Sequence, residues 1–302
     1  MKTDKLLDHI FVLRPMLHIP VWTVGILGYF SYGDAESGWL EIPLMMLIGT
    51  GLFGAVFLIN QIYDIESDRI NDKVFFLPRG LVTPGWTWLM TIMLNVISPI
   101  LAFYISFGAG VAALIIVVLG VLYSVPPISM KDRTWPAAVA NGLGHGTMVF
   151  ILGYCMAGGA FFTALIKSIP YFLAVAAVYV GTTLPDIKGD RETGKITISV
   201  RFGPRITQSI VLISYLVALS IGYILQAIPF LIASLAVAPF YFWLYYTKTS
   251  KATMLAVKMS VISLSLAASY LYPLYALFLL SLIFATRIYY QHRFNMEYPA
   301  IK

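Results

Sequence analysis

Apolar residues in this 302-residue chain run in long blocks separated by short polar stretches. The blocks fall at 10–31, 41–63, 86–107, 109–124, 137–157, 162–184, 206–226, 228–247 and 269–290. An apolar stretch of about 20 residues crosses the hydrocarbon core as a helix, because a helix satisfies its own backbone hydrogen bonds. The pattern therefore predicts nine spanning helices. The stretch 252–268 keeps a tenth open: it is apolar enough to span, but it contains Lys258 and the polar residues Ser260, Ser263 and Ser265. The expected fold is all-α, a polytopic membrane helical bundle.

Composition agrees with that pattern. Hydrophobic residues make up 59% of the chain and charged residues 11%, against about 25% charged in a soluble domain, so a water-facing surface is not available. The one cysteine, Cys155, lies in an apolar run, which excludes an intrachain disulfide and gives no thiolate metal site. The N-terminal apolar run follows Lys2 and Lys5, contains Arg14 and His18 and lacks a small-residue cleavage site, so it reads as a retained first membrane helix. No linker or low-complexity stretch interrupts the chain, and 1–302 reads as a single integral-membrane domain.

Basic residues favour cytoplasmic loops. With the N-terminus inside, that side collects Lys2, Lys5 and Arg14; Arg69, Lys73 and Arg79; Lys131 and Arg133; Lys188, Arg191, Lys195, Arg201 and Arg205; and Lys248, Lys251 and Lys258. These are 16 of the 20 Lys and Arg. The net charge of +6 thus tracks the membrane sides, and no nucleic-acid partner is expected. The loops at 64–85, 125–136 and 185–205 should all face the cytoplasm, in a prokaryote across the cell membrane. Two helix ends also resemble each other: Asn-Gln-Ile-Tyr-Asp-Ile-Glu-Ser-Asp-Arg (60–69) and Leu-Pro-Asp-Ile-Lys-Gly-Asp-Arg (184–191), each followed by a basic loop and a new apolar helix. The chain reads as two pseudo-repeated halves.

Those two ends carry the chemistry. Asn60, Asp64 and Asp68 are spaced i, i+4, i+8, one above another on a helix face, and Asp186 and Asp190 repeat the spacing. Asp64, Glu66, Asp68, Asp72, Asp186, Asp190 and Glu192 are seven of the chain's fourteen acids. Carboxylates gathered at membrane depth cost roughly 2.5–3.5 kcal/mol each on insertion scales, which a divalent cation would offset. Hard oxygen ligands favour magnesium, which bridges to substrate phosphates. The cations Arg69, Lys73, Arg79, Lys131, Lys188 and Arg191 fit a bound polyanion. One such acidic stripe would equally suit ordinary interfacial residues; two on one side, each with basic followers, describe a diphosphate site above an apolar interior.

At these residues the chain resembles the UbiA superfamily of intramembrane prenyltransferases. Its first motif is matched by Asn60, Asp64, Asp68, Asn71 and Pro78-Arg79-Gly80, its second by Asp186, Gly189, Asp190, Gly194, Thr197 and Val200 to Gly203. Arg14-Pro15 and Tyr123-Ser-Val-Pro-Pro127 are similar as well, and the likeness covers residues 10 to 205. The resemblance implies a nine-helix bundle, two magnesium ions, an isoprenyl diphosphate donor, a lipophilic acceptor and an allylic carbocation. It makes Asn60, Asp64, Asp68, Asp186 and Asp190 metal ligands, the four aspartates being catalytic, and brings Arg14, Lys73 and Lys131 to the diphosphate. Tyr123, Asn141 and His145 are candidates for the acceptor side. Three departures stand out: Gln61 replaces an Asp, Phe75-Phe76 replaces Arg-Pro, and Thr183 stands where an acid often precedes the second motif. An intramembrane terpene cyclase keeps the diphosphate site without the acceptor. A cation transporter fits less well, because its site would lie at mid-membrane.

Cysteines placed at Ile70, Asp132 and Glu192 in a Cys155→Ala background should all label from the cytoplasmic side. Labelling of any one only from the opposite face would separate the two motifs.

Overall fold

The computed structural model describes residues 2–32, 38–71 and 76–299. Those residues form helices and connecting turns, with no strand among them. In chain order the helices are α1 (Lys2–Phe11), α2 (Ile19–Phe30), α3 (Glu41–Tyr63), α4 (Ile65–Asn71), α5 (Pro84–Ile105) and α6 (Phe107–Ser124). They continue with α7 (Thr134–Asn141), α8 (Val149–Met156), α9 (Phe161–Lys167), α10 (Ile169–Thr182), α11 (Ile187–Glu192) and α12 (Ile198–Ile224). The last four are α13 (Ile228–Ala236), α14 (Ala238–Thr247), α15 (Ser250–Leu271) and α16 (Pro273–Phe294).

Among the described residues, seven runs are long and apolar enough to cross a membrane, or nine if two bent helix pairs each count as one span. The membership differs from the sequence expectation. Ser250–Leu271, left open above, is one continuous helix and belongs to the set. The segment expected at 137–157 stays helical but changes type: α7 passes into a π-helical turn over Gly142–Met148 before α8 resumes. The bent pairs are α9 with α10 (52°) and α13 with α14 (46°). Pro170 and Pro239 open the second member of each pair, at the helix position where a missing N–H costs least. Outward faces stay apolar; Leu89, Ile92, Val96 and Ile100 on α5 are all exposed. Only hydrocarbon accommodates a girdle of that kind, and the chain is an integral membrane protein.

Packing inside the bundle depends on close backbone approach. A Cβ on Gly28 of α2 would run into the Phe150 carbonyl of α8, and one on Gly153 of α8 into the Gly25 carbonyl of α2. Small residues at such crossings let membrane helices touch along their backbones. In α12 the chain turns sharply at Gly203 (φ 75°, ψ 173°), and Pro204 restarts the helix. A residue with a Cβ is strained at that φ although the surrounding space is open.

The two chain ends are joined by a buried ion pair. Asp8 on α1, 1% exposed, accepts from Arg293 Nε and Nη2 on α16, both at 3.0 Å, and from the Tyr289 hydroxyl at 2.6 Å. The Phe11 and Tyr289 rings stack at 3.8 Å between centroids. Removing one partner of a buried pair strands the other charge, at a cost of about 3 kcal/mol. Asp8→Ala should therefore lower the Tm in detergent clearly, and more than Glu66→Ala, which removes only an exposed pair with Arg69. Equal melting of the two variants would show that the clasp contributes nothing.

Candidate active site

The first acidic stripe survives a break in its helix. α3 ends at Tyr63, Asp64 leaves helical geometry (φ −101°, ψ 3°), and α4 begins at Ile65. The backbone ladder nevertheless continues: Asp64 N–H donates to the Asn60 carbonyl at 3.0 Å, and Asp68 N–H to the Asp64 carbonyl at 2.7 Å. Asp64 accepts from Lys131 Nζ at 2.6 Å, with only 15% of the carboxylate side chain and 9% of the lysine exposed. Asp68 is half-buried. Its carboxyl is pushed above the ordinary carboxylate range, first by burial and then by the neighbouring Asp64, against the pull of Arg14, Lys195 and Lys131.

The second stripe sits on α11, where Asp190 N–H donates to the Asp186 carbonyl at 2.8 Å. Asp190 accepts from the Thr197 hydroxyl at 3.1 Å, and the Ser199 hydroxyl donates to the Thr183 carbonyl at 2.8 Å. The loop between α6 and α7 joins the two stripes. Ser129, with positive φ, donates its hydroxyl to Asp132 and turns the chain so that Lys131 reaches Asp64. Ile196 N–H, just beyond the second stripe, donates to the Asp132 carbonyl at 3.0 Å, and the Thr134 hydroxyl to the Ile196 carbonyl at 2.8 Å. Both stripes and the middle loop thus meet at one end of the bundle.

Below them lies a cavity of about 370 Å³. Arg14, Asn60, Tyr123, Asn141 and Tyr179 form its polar rim, and Phe53, Phe57, Ile116, Val178 and Leu264 are among its apolar walls. Arg14 holds a left-handed backbone conformation (φ 55°, ψ 60°) at the break between α1 and α2. Its charged neighbours include Asp68 and Asp64, and Tyr290 and Tyr298 from the C-terminal end lie beside it. Tyr123 lies against both Asn141 and Tyr179.

Among the described residues, no three Asp, Glu, His or Cys side chains converge tightly enough to hold a metal by themselves. Magnesium does not require that, because it keeps several waters and is bound by one or two carboxylates plus substrate phosphate. Two partly buried carboxylates one turn apart, the pKa of Asp68 raised by burial and then by Asp64, form a donor set that such a cation suits. Other residues singled out from sequence fall elsewhere. Arg69 is exposed and pairs with Glu66 at 3.3 Å, and Arg79, Lys188 and Arg191 are exposed outside the cavity. Lys73, Asp72 and Phe75 lie outside the described residues. His145 lines the cavity wall.

The departures acquire reasons. Gln61 points away from the site, 1% exposed, with Nε2 donating to the Val12 carbonyl at 2.9 Å and the Phe57 carbonyl at 3.1 Å. It fastens α3 to the end of α1. Phe76 is buried against Phe294, and Thr183 donates to the Val180 carbonyl within α10. Sequence reasoning missed Lys195, placed above only among the markers of membrane side. Gly194 (φ 75°) returns the chain so that Lys195 N–H donates to the Asp190 carbonyl at 2.9 Å, and its charge acts on Asp68. A glycine four residues after Asp190 was the available signal. Tyr179, Tyr290 and Tyr298 carried none among nineteen tyrosines.

The sequence model of the UbiA prenyltransferase family matches residues 21–253. A 2-acyl-4-prenylphloroglucinol 6-prenyltransferase of Humulus lupulus is 28% identical over 204 residues, 63% of this chain and 48% of that protein. Chlorophyll synthase of Arabidopsis thaliana is 24% identical over 222 residues, 67% and 55% of the two chains. The chain spans about half the length of the curated relatives it matches. Among solved structures, a UbiA homolog from Archaeoglobus fulgidus bound to GPP and Mg2+ superposes with a TM-score of 0.71 at 20% identity, covering 89% of this chain and 99% of that one. A digeranylgeranylglyceryl phosphate synthase superposes with a TM-score of 0.68 at 21% identity, over 88% and 99%.

Because Gln61 serves packing, Gln61→Ala should cost about 1–3 kcal/mol by leaving the Val12 carbonyl without its donor, read as a lowered Tm. Gln61→Glu should melt still lower, since it brings a charge into the same buried position. A Gln61→Glu protein as stable as the starting chain would overturn that role.

Proposed function

The chain belongs to the UbiA prenyltransferase family, and from that premise we propose that it moves an isoprenyl group from a prenyl diphosphate to a lipophilic acceptor. The observation that carries this reading is the meeting of two acidic stripes with Arg14, Lys131 and Lys195 above an apolar cavity. Asn60, Asp64, Asp68, Asp186 and Asp190 would hold magnesium, two ions in all, which when bound lowers the charge developing on the leaving diphosphate. A solved relative was bound to GPP and Mg2+, and the hard-oxygen donor set here suits that cation. Arg14, Lys131 and Lys195 hold phosphate oxygens, and Lys131 has only to exchange the Asp64 oxygen for one of them. The exposed Arg69, Arg79, Lys188 and Arg191 form an outer positive field that draws the polyanion in, and the family motif assigns Lys73 to the diphosphate. The apolar walls take the prenyl chain and keep water from the allylic cation. The basic asymmetry of the loops supports a mouth that opens on the cytoplasmic side.

Membranes given labelled geranyl diphosphate, magnesium and a panel of lipophilic acceptors should form an acceptor-dependent product. A labelled hydrocarbon formed from donor alone would point to a cyclase instead. Asp64→Asn, Asp68→Asn, Asp186→Asn and Asp190→Asn should each lower turnover by at least about a hundredfold, several kcal/mol of transition-state stabilisation, with little change in Tm for the exposed Asp186 but a lowered Tm for Asp64→Asn, which strands the buried Lys131. Lys131→Ala and Lys195→Ala should each raise the donor KM roughly tenfold, the order of a charge-assisted phosphate contact, whereas Lys188→Ala should have a small effect. Near-normal turnover in both Asp64→Asn and Asp186→Asn would sink the assignment.

A further inference from the structure

A second, smaller cavity of about 190 Å³ lies at the end of the bundle away from the acidic stripes. Its lining includes Ser31 just past α2, Lys167 at the end of α9, Tyr171 in the first turn of α10, and Gln226 to Pro229 at the start of α13. The 14-residue α10 runs from this cavity toward the second stripe, so about 20 Å of helix separates the two. The mechanism proposed above uses none of these residues.

Its polar groups are all donors. A lysine near a helix end in lipid usually extends its ammonium outward to water, but Lys167 turns inward. Its Nζ donates to the Ser31 carbonyl at 2.9 Å and lies 5.2 Å from the centre of the Tyr154 ring. An ammonium has three hydrogens to place, and among the described residues no carboxylate pairs with this one. Tyr171 is 1% exposed, and its hydroxyl makes no hydrogen bond. The Ser31 hydroxyl lies beside it but donates to the Leu27 carbonyl at 2.6 Å. Buried polar groups are nearly always paired, so a bare one calls for a ligand or a role. The third contribution is the start of α13, where Gln226 (φ 52°) turns the chain and Pro229 opens the helix. That end of a helix carries partial positive charge. An ammonium, a bare hydroxyl and a helix N-terminus together recognise an oxyanion.

We propose that this cavity binds the phosphate of an anionic membrane lipid whose headgroup carries no amine. Ile166, Tyr223 and Ile224, next to lining residues in the chain, are exposed apolar side chains, as is Ile228 in the lining itself. Acyl chains can lie along that collar while the phosphate enters, whereas a free anion would have to cross it. A site of donors offers nothing to an ammonium headgroup. The Tyr171 ring packs between Phe150 and Phe230, with centroids at 4.7 and 5.0 Å, and Phe230 lines the central cavity. A lipid held here braces the far wall of that cavity at the 52° bend between α9 and α10. The inference stands apart from the prenyl-transfer reading.

The test uses the purified full chain, stripped of lipid in a neutral detergent and titrated with phosphatidylglycerol, phosphatidylcholine or inorganic phosphate. Phosphatidylglycerol should raise the Tm by about 3 °C once it is roughly tenfold above its dissociation constant, and the other two by less than about 1 °C. Tyr171→Phe removes only the bare hydroxyl, so without lipid it should melt no lower than the starting chain. Tyr171→Phe and Lys167→Gln should each bind phosphatidylglycerol at least about tenfold more weakly, the order of a charge-assisted hydrogen bond. Lys251→Gln, at an exposed position at the opposite end of the bundle, should bind as the starting chain does. No rise with phosphatidylglycerol, an equal rise with phosphatidylcholine, or binding unchanged in either cavity variant overturns the proposal. A rise reproduced by inorganic phosphate assigns the cavity to a free anion and overturns the lipid. A Tyr171→Phe protein that melts clearly lower without lipid would show the hydroxyl paired within the fold, and would overturn it as well.

Discussion

Carboxylates gathered at the end of apolar helices must be neutralised where they stand, and much of this architecture follows from that requirement. Asp64 is mostly removed from water and Asp68 half so, and at reduced local dielectric two like charges one turn apart repel strongly. The chain answers with cations delivered from three separate segments. Lys131 arrives on the loop between α6 and α7, Arg14 from the break between α1 and α2, and Lys195 from the turn after α11. Lys131 bonds Asp64 directly, and Arg14 and Lys195 act on Asp68 through their charge, so all three segments gather around the first stripe. The cavity rim, built from Arg14, Asn60, Tyr123 and Asn141, inherits that arrangement.

Two of the positions where helices lose regularity carry residues of the candidate site. Arg14 holds a left-handed conformation before Pro15, and Asp64 sits at the junction of α3 and α4. An uninterrupted α-helix repeats side-chain directions at fixed intervals, so placing one group off that lattice needs a break. In lipid a break is tolerable only where protein or a polar cavity satisfies the freed backbone groups. Here the breaks fall at the bundle end or against the cavity. The clasp of Asp8 with Arg293 and Tyr289 then holds the C-terminal tyrosines beside Arg14, so the outermost helices also shape the mouth.

Much of the fold was legible because lipid imposes a simple rule on sequence: long apolar runs must be helices. Runs such as 41–63 and 109–124 therefore read correctly almost to the residue. Lys258 and its serines obscured α15 because hydropathy sums cannot tell a polar side chain turned inward from one facing lipid. Ser263, for example, donates to the Ala233 carbonyl of α13, and Ser260 pairs with the Tyr241 hydroxyl. The acidic stripes were legible because i, i+4 spacing is a local property of one helix, and the ladder from Asn60 to Asp68 keeps it despite the break.

The sequence alone determined the membrane class and the two acidic stripes, both of which depend on neighbours a few residues away. Only the tertiary structure decided that Gln61 leaves the site to bind the Val12 carbonyl, that Lys195 joins it, and that Arg69 turns outward to Glu66. Those choices depend on which segments meet after the helices pack. Gln61 and Val12 are 49 residues apart, and Lys131 and Asp64 are 67 apart. No local pattern encodes such a meeting, because the energy that selects it is the burial and pairing of groups brought together by the bundle as a whole.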